Sequence, residues 1–325
     1  MRVFLTGGAG FIGSHTVAKL LSDPTVSEVT VYDNFSSGKR EFLPRDEPRL
    51  NIVKADISSL ERLSEAIEGH DLVFHYASNP DIARAAREPD IDFWQGTFLT
   101  QNVLEAMRRT GVKEIVYSSG SGIYGDAEFQ MLGENHSPLL PVSTYGASKL
   151  AGESLICSYC YMFGLRAWVF RFANVVGPRQ THGVTVDFIR KLADRPSELT
   201  ILGDGLQSKS YIHVDDVLSA IWCGRKSAGD TYNYFNVSTD DNITVNEIAD
   251  IVINIMGLGN VRRIYAGGNR GWKGDVPVVR LDATKIGKLG WQATRSTHQA
   301  IRASAQALHD EFAAVLSASV PAATH

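Results

Sequence analysis

The glycine-rich run behind the first strand-like segment is the feature that most constrains the fold of this chain. Residues 3–6 are mostly apolar and lead directly into Gly7, Gly10 and Gly13, which open the helical stretch 11–21. One glycine permits a tight turn, the next lets the backbone approach a pyrophosphate, and the third lets the helix pack closely on the strand. The free N–H groups and the positive dipole end of such a helix favour phosphate. The order of strand, glycine turn and helix therefore predicts a dinucleotide-binding unit.

Short apolar runs alternate with helical stretches through the first half of the chain. The predicted strands cover 3–6, 29–32, 51–54, 72–74, 114–118 and 167–171, and the predicted helices cover 11–21, 59–67, 93–109 and 144–163. Few charges interrupt the strands, as expected for a sheet that is covered on both faces. This alternation is typical of parallel strands joined by helical crossovers. We predict an α/β fold with a doubly wound parallel sheet of the Rossmann type.

Beyond residue 174 the alternation becomes less regular. Glycine-rich turns separate helices that we predict near 184–193, 214–224 and 244–255. We predict an NAD-binding Rossmann domain over 1–174 and a smaller α/β substrate-binding domain over 175–316, with some segments returning to the first domain. The last residues, 317–325, are mostly Ala, Ser, Pro and Thr without periodicity, so we expect a flexible tail there.

The composition excludes several classes of protein. Hydrophobic residues make up 44% and charged residues 21% of the 325 residues, which is average for a globular chain. The formal net charge is −4 and the basic residues are scattered, so we expect no nucleic-acid partner and no membrane surface. No apolar run reaches the ~18 residues that span a bilayer, and the chain enters a strand at once, without a signal peptide. The 3 cysteines are too few for a secreted disulfide framework, so we predict a cytoplasmic protein.

Metal or redox chemistry is not expected. Cys157 and Cys160 have the spacing of a redox or metal pair, but they fall in a predicted helix without a second pair, and packing roles are favoured. The 9 histidines show no metal-ligand spacing. We predict no metal site.

Asp33 stands at the end of the second predicted strand, about 20 residues beyond Gly13. A carboxylate there accepts hydrogen bonds from the adenosine ribose of a dinucleotide and repels a 2′-phosphate. A glycine triplet alone would also suit a plain tight turn. Together with Asp33 it predicts NAD as the cofactor and favours NAD over NADP.

Tyr145 and Lys149 lie one helical turn apart on the same face of a predicted helix. A free tyrosine, with a pKa of about 10, is a poor base at neutral pH. A lysine cation beside it and a nicotinamide cation nearby would favour phenolate and lower that pKa. The alternative is an ordinary surface helix, because this spacing is common by chance. Its place after a strand that ends in Tyr117-Ser-Ser-Gly-Ser-Gly-Ile-Tyr-Gly125 favours the catalytic interpretation.

Further stretches extend the pattern from Arg2 to about Trp291. They are 6–13, Tyr32-Asp-Asn-Phe-Ser-Ser-Gly38, Ala55-Asp-Ile57, His75-Tyr-Ala-Ser78, Arg171-Phe-Ala-Asn-Val-Val-Gly-Pro178, Gly203-Asp-Gly205 and Tyr211-Ile-His-Val-Asp215. With these stretches the chain resembles an extended short-chain dehydrogenase/reductase of the NAD-dependent sugar epimerase/dehydratase group. Within that group it is most like the UDP-glucose (UDP-galactose) 4-epimerases.

The resemblance implies roles for the matching residues. The implied cofactor-binding residues are Gly7, Gly10, Phe11, Ile12, Gly13, Asp33, Asn34, Ser37, Gly38, Asp56, Ile57, Tyr76, Ala77, Ser78, Tyr145, Lys149 and Phe172. The implied nucleotide-sugar residues are Asn174, Gly183, Val184 and Lys209. The resemblance also implies a homodimer through the predicted helices 93–109 and 144–163.

Three positions depart from the pattern of the relatives. Gly120 stands where they carry a catalytic Ser or Thr, and Ser121 next to it is our candidate for the missing hydroxyl. Lys209 replaces the arginine that touches the pyrophosphate, which exchanges a bidentate fork for a point charge. Trp272 stands where a second arginine is expected.

The resemblance and the residues together predict an NAD-dependent nucleotide-sugar 4-epimerase, with a UDP-hexose favoured, that works through oxidation at C4 and a 4-keto intermediate. Tyr145, Lys149 and Ser121 are the predicted catalytic residues. The first alternative is a dehydratase or decarboxylase of the same family, which would need carboxylates where this chain has Ser121 and Gly122. The second alternative is a non-catalytic NAD sensor, which commonly lacks the tyrosine or the lysine.

Overall fold

The computed structural model describes residues 1–79 and 81–318. The strands are β1 Arg2–Thr6, β2 Glu28–Asp33, β3 Leu50–Lys54, β4 Leu72–His75, β5 Glu114–Gly120, β6 Met131–Leu132, β7 Arg166–Phe172, β8 Asn174–Val176, β9 Glu198–Ile201, β10 Ser208–Lys209, β11 Tyr211–His213, β12 Tyr232–Val237, β13 Ile243–Thr244, β14 Arg262–Tyr265 and β15 Val278–Leu281. The α-helices are α1 Phe11–Leu21, α2 Leu60–Ile67, α3 Leu99–Thr110, α4 Thr144–Phe163, α5 Val184–Asp194, α6 Val214–Ser227, α7 Val245–Ile255, α8 Thr284–Gly287 and α9 Thr297–Ala318.

A 7-stranded sheet with the order β12-β7-β5-β4-β1-β2-β3 forms the centre of the molecule. All its neighbouring strands are parallel. The predicted doubly wound α/β fold is therefore confirmed. In this order β1 lies between β2 and β4, so the strands that follow β1 continue first on one side of it and then on the other. In such sheets, ligands bind beyond the carboxyl ends of the strands at the point where the strand order reverses.

Both faces of the sheet are buried under helices. Val17 of α1 and Ile221 of α6 belong to the apolar cluster on one face, and Val103 and Met107 of α3 belong to the cluster on the other. These four side chains are fully buried. Each burial of this kind stabilises the fold by about 1.5–3 kcal/mol. The covered faces explain why the strands read as apolar runs instead of alternating patterns.

The helix predicted over 93–109 consists of two different helices. Residues Phe93–Phe98 form a π-helix, and α3 follows and ends before Gly111, whose φ of 80° closes the helix. A Cβ on Gly96 would lie 2.6 Å from the Ser148 hydroxyl, so glycine allows this wide turn to approach α4 closely. Sequence periodicity does not separate a π-turn from an α-turn, and π-turns commonly occur at functional sites.

The second half of the chain forms a smaller apolar cluster around α5, α7 and α9. The helices α5, α6 and α7 cover the three stretches that we predicted as helical. Residues 232–237 return to the main sheet as β12, beside β7. The predicted tail over 317–325 begins inside α9, which extends to Ala318, and its remaining residues lie outside the described part of the chain.

Candidate active site

One large cavity lies at the carboxyl ends of β1, β4, β5 and β7 and extends toward α5, β9 and β10. Its volume is about 990 Å³. Every residue that we predicted for the cofactor, the catalysis or the substrate lines this cavity, except Gly38. The fold thus brings together residues that are as far apart in the sequence as Gly7 and Lys209.

The glycine turn forms one end of the cavity, directly behind β1. Gly7 has a φ of +69°, and a Cβ there would lie 2.7 Å from the backbone nitrogen of Ala77. A Cβ on Gly13 would lie 2.2 Å from the carbonyl oxygen of Gly7. Gly10 caps α1 without a side-chain hydrogen bond, which leaves the first N–H groups of the helix free for a ligand. This cradle tolerates only glycine at Gly7 and Gly13, and it fits a dinucleotide pyrophosphate.

Asp33 is buried at the end of β2, against the glycine turn. Its carboxylate accepts the N–H of Ala9 at 2.9 Å and the N–H of Phe35 at 2.8 Å. Burial raises the pKa of Asp33, and the two backbone hydrogen bonds oppose that rise. Gly38 lies outside the cavity, and a Cβ there would lie 2.9 Å from the carbonyl carbon and the Cβ of Ala9. The structure therefore places Gly38 where it packs the loop after β2 onto the glycine turn.

Asp56 and Asn34 meet on the adenine side of the predicted cofactor path. The Asn34 amide donates to Asp56 at 2.8 Å, and the N–H of Ser58 donates to the other carboxylate oxygen at 2.9 Å. These hydrogen bonds lower the pKa of Asp56 against the opposing effect of its burial. The carboxylate is thus ionised and held still at the cavity wall.

Lys149 lies at the centre of the cavity, on the first turns of α4. Its ammonium donates to the carbonyl oxygen of Ser118 at 2.9 Å and lies 5.6 Å from the centre of the Tyr145 ring. Burial lowers the pKa of Lys149 to about 8, and the charges of Asp92 and Glu153 oppose that change. At pH 7 the amine is therefore still mainly a cation beside Tyr145.

The pKa of Tyr145 differs from our expectation. Burial is the largest effect and raises the pKa to about 12, the charge of Asp92 raises it further, and a hydrogen bond with Ser78 opposes the rise. We predicted a lowered pKa from the combined charges of Lys149 and a nicotinamide. The protein alone does not supply that lowering, because burial and the charge of Asp92 disfavour the phenolate more than the hydrogen bond with Ser78 stabilises it. Tyr145 is a neutral phenol in the protein by itself.

Asp92 is a buried carboxylate near the catalytic pair that the sequence did not reveal. It precedes the π-helix and is 1% exposed. The Asn79 amide donates to it at 2.9 Å, and the Thr144 hydroxyl donates to its other oxygen at 2.7 Å. Because Thr144 directly precedes Tyr145, Asp92 fixes the first turn of α4. Only the fold joins residues that are 52 positions apart in the chain.

Gly120 ends β5, and Ser121 begins a short 3-10 turn, Ser121–Tyr124. Both line the cavity. The backbone of Gly120 is extended, with φ −159° and ψ 169°, and the nearest neighbour of a Cβ there would be the Phe172 carbonyl oxygen at 3.8 Å. Neither the conformation nor the space requires glycine at this position. The loop geometry therefore does not explain why this chain lacks a hydroxyl at position 120.

The residues predicted to bind the substrate line the same cavity. Gly183 caps α5 and Val184 begins it, and Gly183 has a φ of 103°. The Lys209 ammonium lies 2.5 Å from the carboxylate of Asp275. Trp272, which stands where an arginine was expected, lines the cavity in the same turn as Asp275.

Across 1–79 and 81–318, no helix is both long and apolar enough to cross a bilayer. In the same ranges, no group of three or more His, Cys, Asp or Glu side chains is placed to hold a metal ion. Cys160 is buried in α4 and Cys157 is half-buried.

The chain is similar to known nucleotide-sugar enzymes over nearly its whole length. Residues 3–238 match the model of the NAD dependent epimerase/dehydratase family. A UDP-glucose 4-epimerase of Mycolicibacterium smegmatis is 33% identical over 302 residues, which cover 90% of this chain and 93% of the relative. A crystal structure of a UDP-galactose 4-epimerase is 38% identical, with a TM-score of 0.85, and the match covers 96% of this chain and 100% of that one.

A dehydratase has the same architecture. The dTDP-glucose 4,6-dehydratase of Streptomyces venezuelae, solved with NAD, is 28% identical with a TM-score of 0.88. The match covers 96% of this chain and 98% of the dehydratase. The backbone alone therefore does not distinguish an epimerase from a dehydratase, and the side chains around Tyr145 must do so.

Proposed function

The chain belongs to the NAD-dependent epimerase/dehydratase family, and from that premise we propose that it is a nucleotide-sugar 4-epimerase that acts on a UDP-hexose. One observation carries the proposal. Tyr145 and Lys149 line the same cavity as the glycine turn after β1, Lys209 and the start of α5. A nucleotide-sugar held by Lys209 and the start of α5 presents its hexose to the tyrosine. The 4-epimerases to which the chain is similar act on UDP-sugars by name.

The residues of the cradle fit NAD. Gly7, Gly10 and Gly13 leave room for a pyrophosphate, and Asp33 offers an acceptor at the end of β2 while disfavouring a 2′-phosphate. Asp56 and Asn34 would meet the adenine side. Bound NAD supplies a hydride acceptor and donor for C4 of the sugar.

The chain's own residues control the proton of the sugar 4-hydroxyl. Tyr145, once ionised, takes that proton and later returns it. Lys149 stays cationic at pH 7 and stabilises the negative charge on the tyrosine oxygen. Ser121 lines the same cavity, and in this proposal its hydroxyl holds the 4-oxygen. Asp92 and Thr144 keep the first turn of α4 in position during this exchange.

Inversion at C4 requires the hexose to turn over as a 4-keto sugar between the two transfers. The nucleotide must then stay anchored while the hexose moves. The cavity of about 990 Å³ offers the space for this rotation, and the anchor belongs at the end formed by α5 and Lys209. Enzymes commonly use contacts to the part of a substrate that does not react to keep the reacting part in the active site.

The side chains around Tyr145 favour epimerisation over loss of water. A 4,6-dehydratase needs an acid–base pair at C5 and C6 of the sugar, and the positions after Gly120 hold Ser121 and Gly122. The carboxylates among the described residues that line the cavity are Asp33, Asp56, Asp81, Asp187 and Asp275. None of these five belongs to the turn at the end of β5.

A panel of nucleotide-sugars tests the proposal. Wild-type protein with NAD is incubated with UDP-glucose, UDP-galactose, UDP-N-acetylglucosamine and dTDP-glucose, and the products are separated by chromatography. We expect interconversion of a UDP-hexose and its 4-epimer, and no conversion with Tyr145→Phe as the matched control. A 4-keto-6-deoxy product would assign the chain to the dehydratases, and no product from any sugar would favour an NAD sensor.

We further propose a homodimer and a cytoplasmic location, as the sequence predicted. Tyr161 and Met162 near the end of α4 are 73% and 72% exposed, which supports an apolar contact along that helix. Light scattering during size-exclusion chromatography should give twice the chain mass of 35.6 kDa. A mass of one chain, unchanged with concentration, would exclude the dimer. The location remains a prediction from the sequence.

A further inference from the structure

One group of side chains in the cavity is unusual for a site that must hold a nucleotide diphosphate. We call it the base end and define it by Leu202, Lys209, Trp272, Asp275 and the first turn of α5. The resemblance implies that Gly183, Val184 and Lys209 bind the nucleotide-sugar, so its phosphates and base would lie here when its hexose is at Tyr145.

The base end has little positive charge. Among the described residues, the side chains that line the whole cavity include two lysines, Lys149 and Lys209, and no arginine. Lys209 is already paired with Asp275 at 2.5 Å, and both side chains are largely buried. The second oxygen of Asp275 accepts the N–H of Gly271 at 2.9 Å. Among the side chains that line the base end, a pyrophosphate therefore meets one cation whose charge is largely compensated. The nearby Arg270 guanidinium does not line the cavity and is bound to the Asp275 carbonyl and the Asp126 carboxylate.

The first turn of α5 supplies donors that can replace part of the missing charge. Its N-cap is Gly183, which makes no side-chain capping hydrogen bond, so the N–H groups of the turn are free for a ligand. The Thr185 hydroxyl in this turn is buried and has no hydrogen-bond partner among the described residues. Such donors orient a phosphate, but they do not recognise a base.

Trp272 is the aromatic side chain of the base end. The turn that carries it is fixed twice: Asp275 donates its N–H to the Trp272 carbonyl at 3.1 Å, and its carboxylate binds Lys209 and Gly271. Leu202 borders the same end of the cavity and is 47% exposed. The half-buried indole and the exposed leucine therefore add apolar surface to the cavity that Lys209 also lines. This is the arrangement that takes a flat base.

We propose that Trp272 binds the base of the nucleotide by stacking, and that this contact supplies binding energy that an arginine at the pyrophosphate would otherwise supply. The ligand class is a pyrimidine nucleoside diphosphate, and this inference rests on the proposed function for the identity of that ligand. Stacking is insensitive to salt, whereas contacts between arginine and phosphate weaken as counterions compete.

Tryptophan fluorescence tests the contact without any turnover. Uridine, UDP and inorganic pyrophosphate are titrated in turn into the wild-type protein loaded with NAD. Uridine and UDP should quench the emission, and pyrophosphate should leave it unchanged. In Trp272→Phe the quenching by uridine should disappear, whereas in the control Trp94→Phe, which alters another tryptophan of the cavity wall, it should remain. Quenching by uridine that persists in Trp272→Phe would place the base elsewhere.

Affinity separates stacking from a merely structural role. Calorimetry should show that Trp272→Ala weakens UDP binding roughly 5- to 100-fold, the range for loss of one base–aromatic stack. Trp272→Phe should restore most of it, because it keeps a flat ring. Equal UDP affinity in the wild type and in Trp272→Ala would overturn the inference and leave the proposed function intact. If the wild type binds neither uridine nor UDP, the proposed UDP-sugar substrate is itself wrong.

Discussion

The hydroxyl that is absent at Gly120 gives the sharpest test of the active site. The perturbation is Gly120→Ser, examined beside Ser121→Ala and the double variant. The Gly120 backbone is extended, and a Cβ would have its nearest contact at 3.8 Å, with the Phe172 carbonyl oxygen. The substitution therefore introduces no steric strain. Because glycine in a strand also costs backbone entropy, the melting temperature should stay the same or rise slightly.

The expected gain in rate follows from one added hydrogen bond. A hydroxyl that binds the sugar 4-oxygen contributes about 0.5–1.5 kcal/mol net. With 1.36 kcal/mol for each factor of ten, turnover should rise roughly 2- to 13-fold if the contact forms fully in the transition state. Ser121→Ala should lower turnover by a similar factor if Ser121 now makes this contact, and the double variant should recover the loss. If a water molecule bridges Ser121 and the sugar, Ser121→Ala should lower turnover only slightly, and Gly120→Ser should still raise it.

The assay is the steady-state rate of 4-epimerisation, measured with the melting temperature of each variant. One combination would refute the reasoning: Ser121→Ala with unchanged turnover, together with Gly120→Ser that abolishes it while remaining folded. The turn after β5 would then serve another purpose, such as room for a bulkier group near C4 or C6 of the sugar.

Three further substitutions test the rest of the site. Tyr145→Phe should lower turnover roughly 10²- to 10⁴-fold with the fold intact, as expected for a positioned acid–base group, and a change of less than twofold would end its catalytic assignment. Asp33→Ser should reduce the preference for NAD over NADP in a binding titration, and a wild type that binds both equally would contradict the role of Asp33. Asp92→Asn should move the pH profile of turnover to lower pH. The Asp92 charge raises the pKa of both Tyr145 and Lys149, so its removal lowers both, and an unchanged profile would show that Asp92 acts only structurally.

The fold was predictable because its signals are local. Apolar runs of strand length and the glycine turn after the first strand each act within a few residues. Long-range features gave no such signal. The edge strand β12 joins the sheet beside β7, although 59 residues separate the two strands in the sequence. The π-helix depends on the approach of Gly96 to Ser148, which is a contact between two helices.

The site was predictable where a motif is contiguous and unpredictable where the environment decides the chemistry. The glycine turn and the pair of Tyr145 and Lys149 are visible as spacings. The direction of the Tyr145 pKa is not, because it depends on how completely the ring is buried and on a carboxylate contributed by Asp92. The spacing in the sequence predicts that Tyr145 and Lys149 lie close together, whereas their burial in the fold determines their pKa values.

Two glycine-capped helices explain how a cavity with few cations can hold two diphosphates. The described residues that line the cavity include five aspartates and two lysines, so side-chain charge does not attract phosphate. Yet α1 and α5, which both start at the cavity, are capped by Gly10 and Gly183 without a side-chain hydrogen bond. By contrast, the Ser143 side chain caps α4 by accepting an N–H of its first turn. Glycine caps leave the backbone donors and the positive dipole end to the ligand. In the proposed function, the same physical device therefore serves both the cofactor, at the start of α1, and the nucleotide-sugar, at the start of α5.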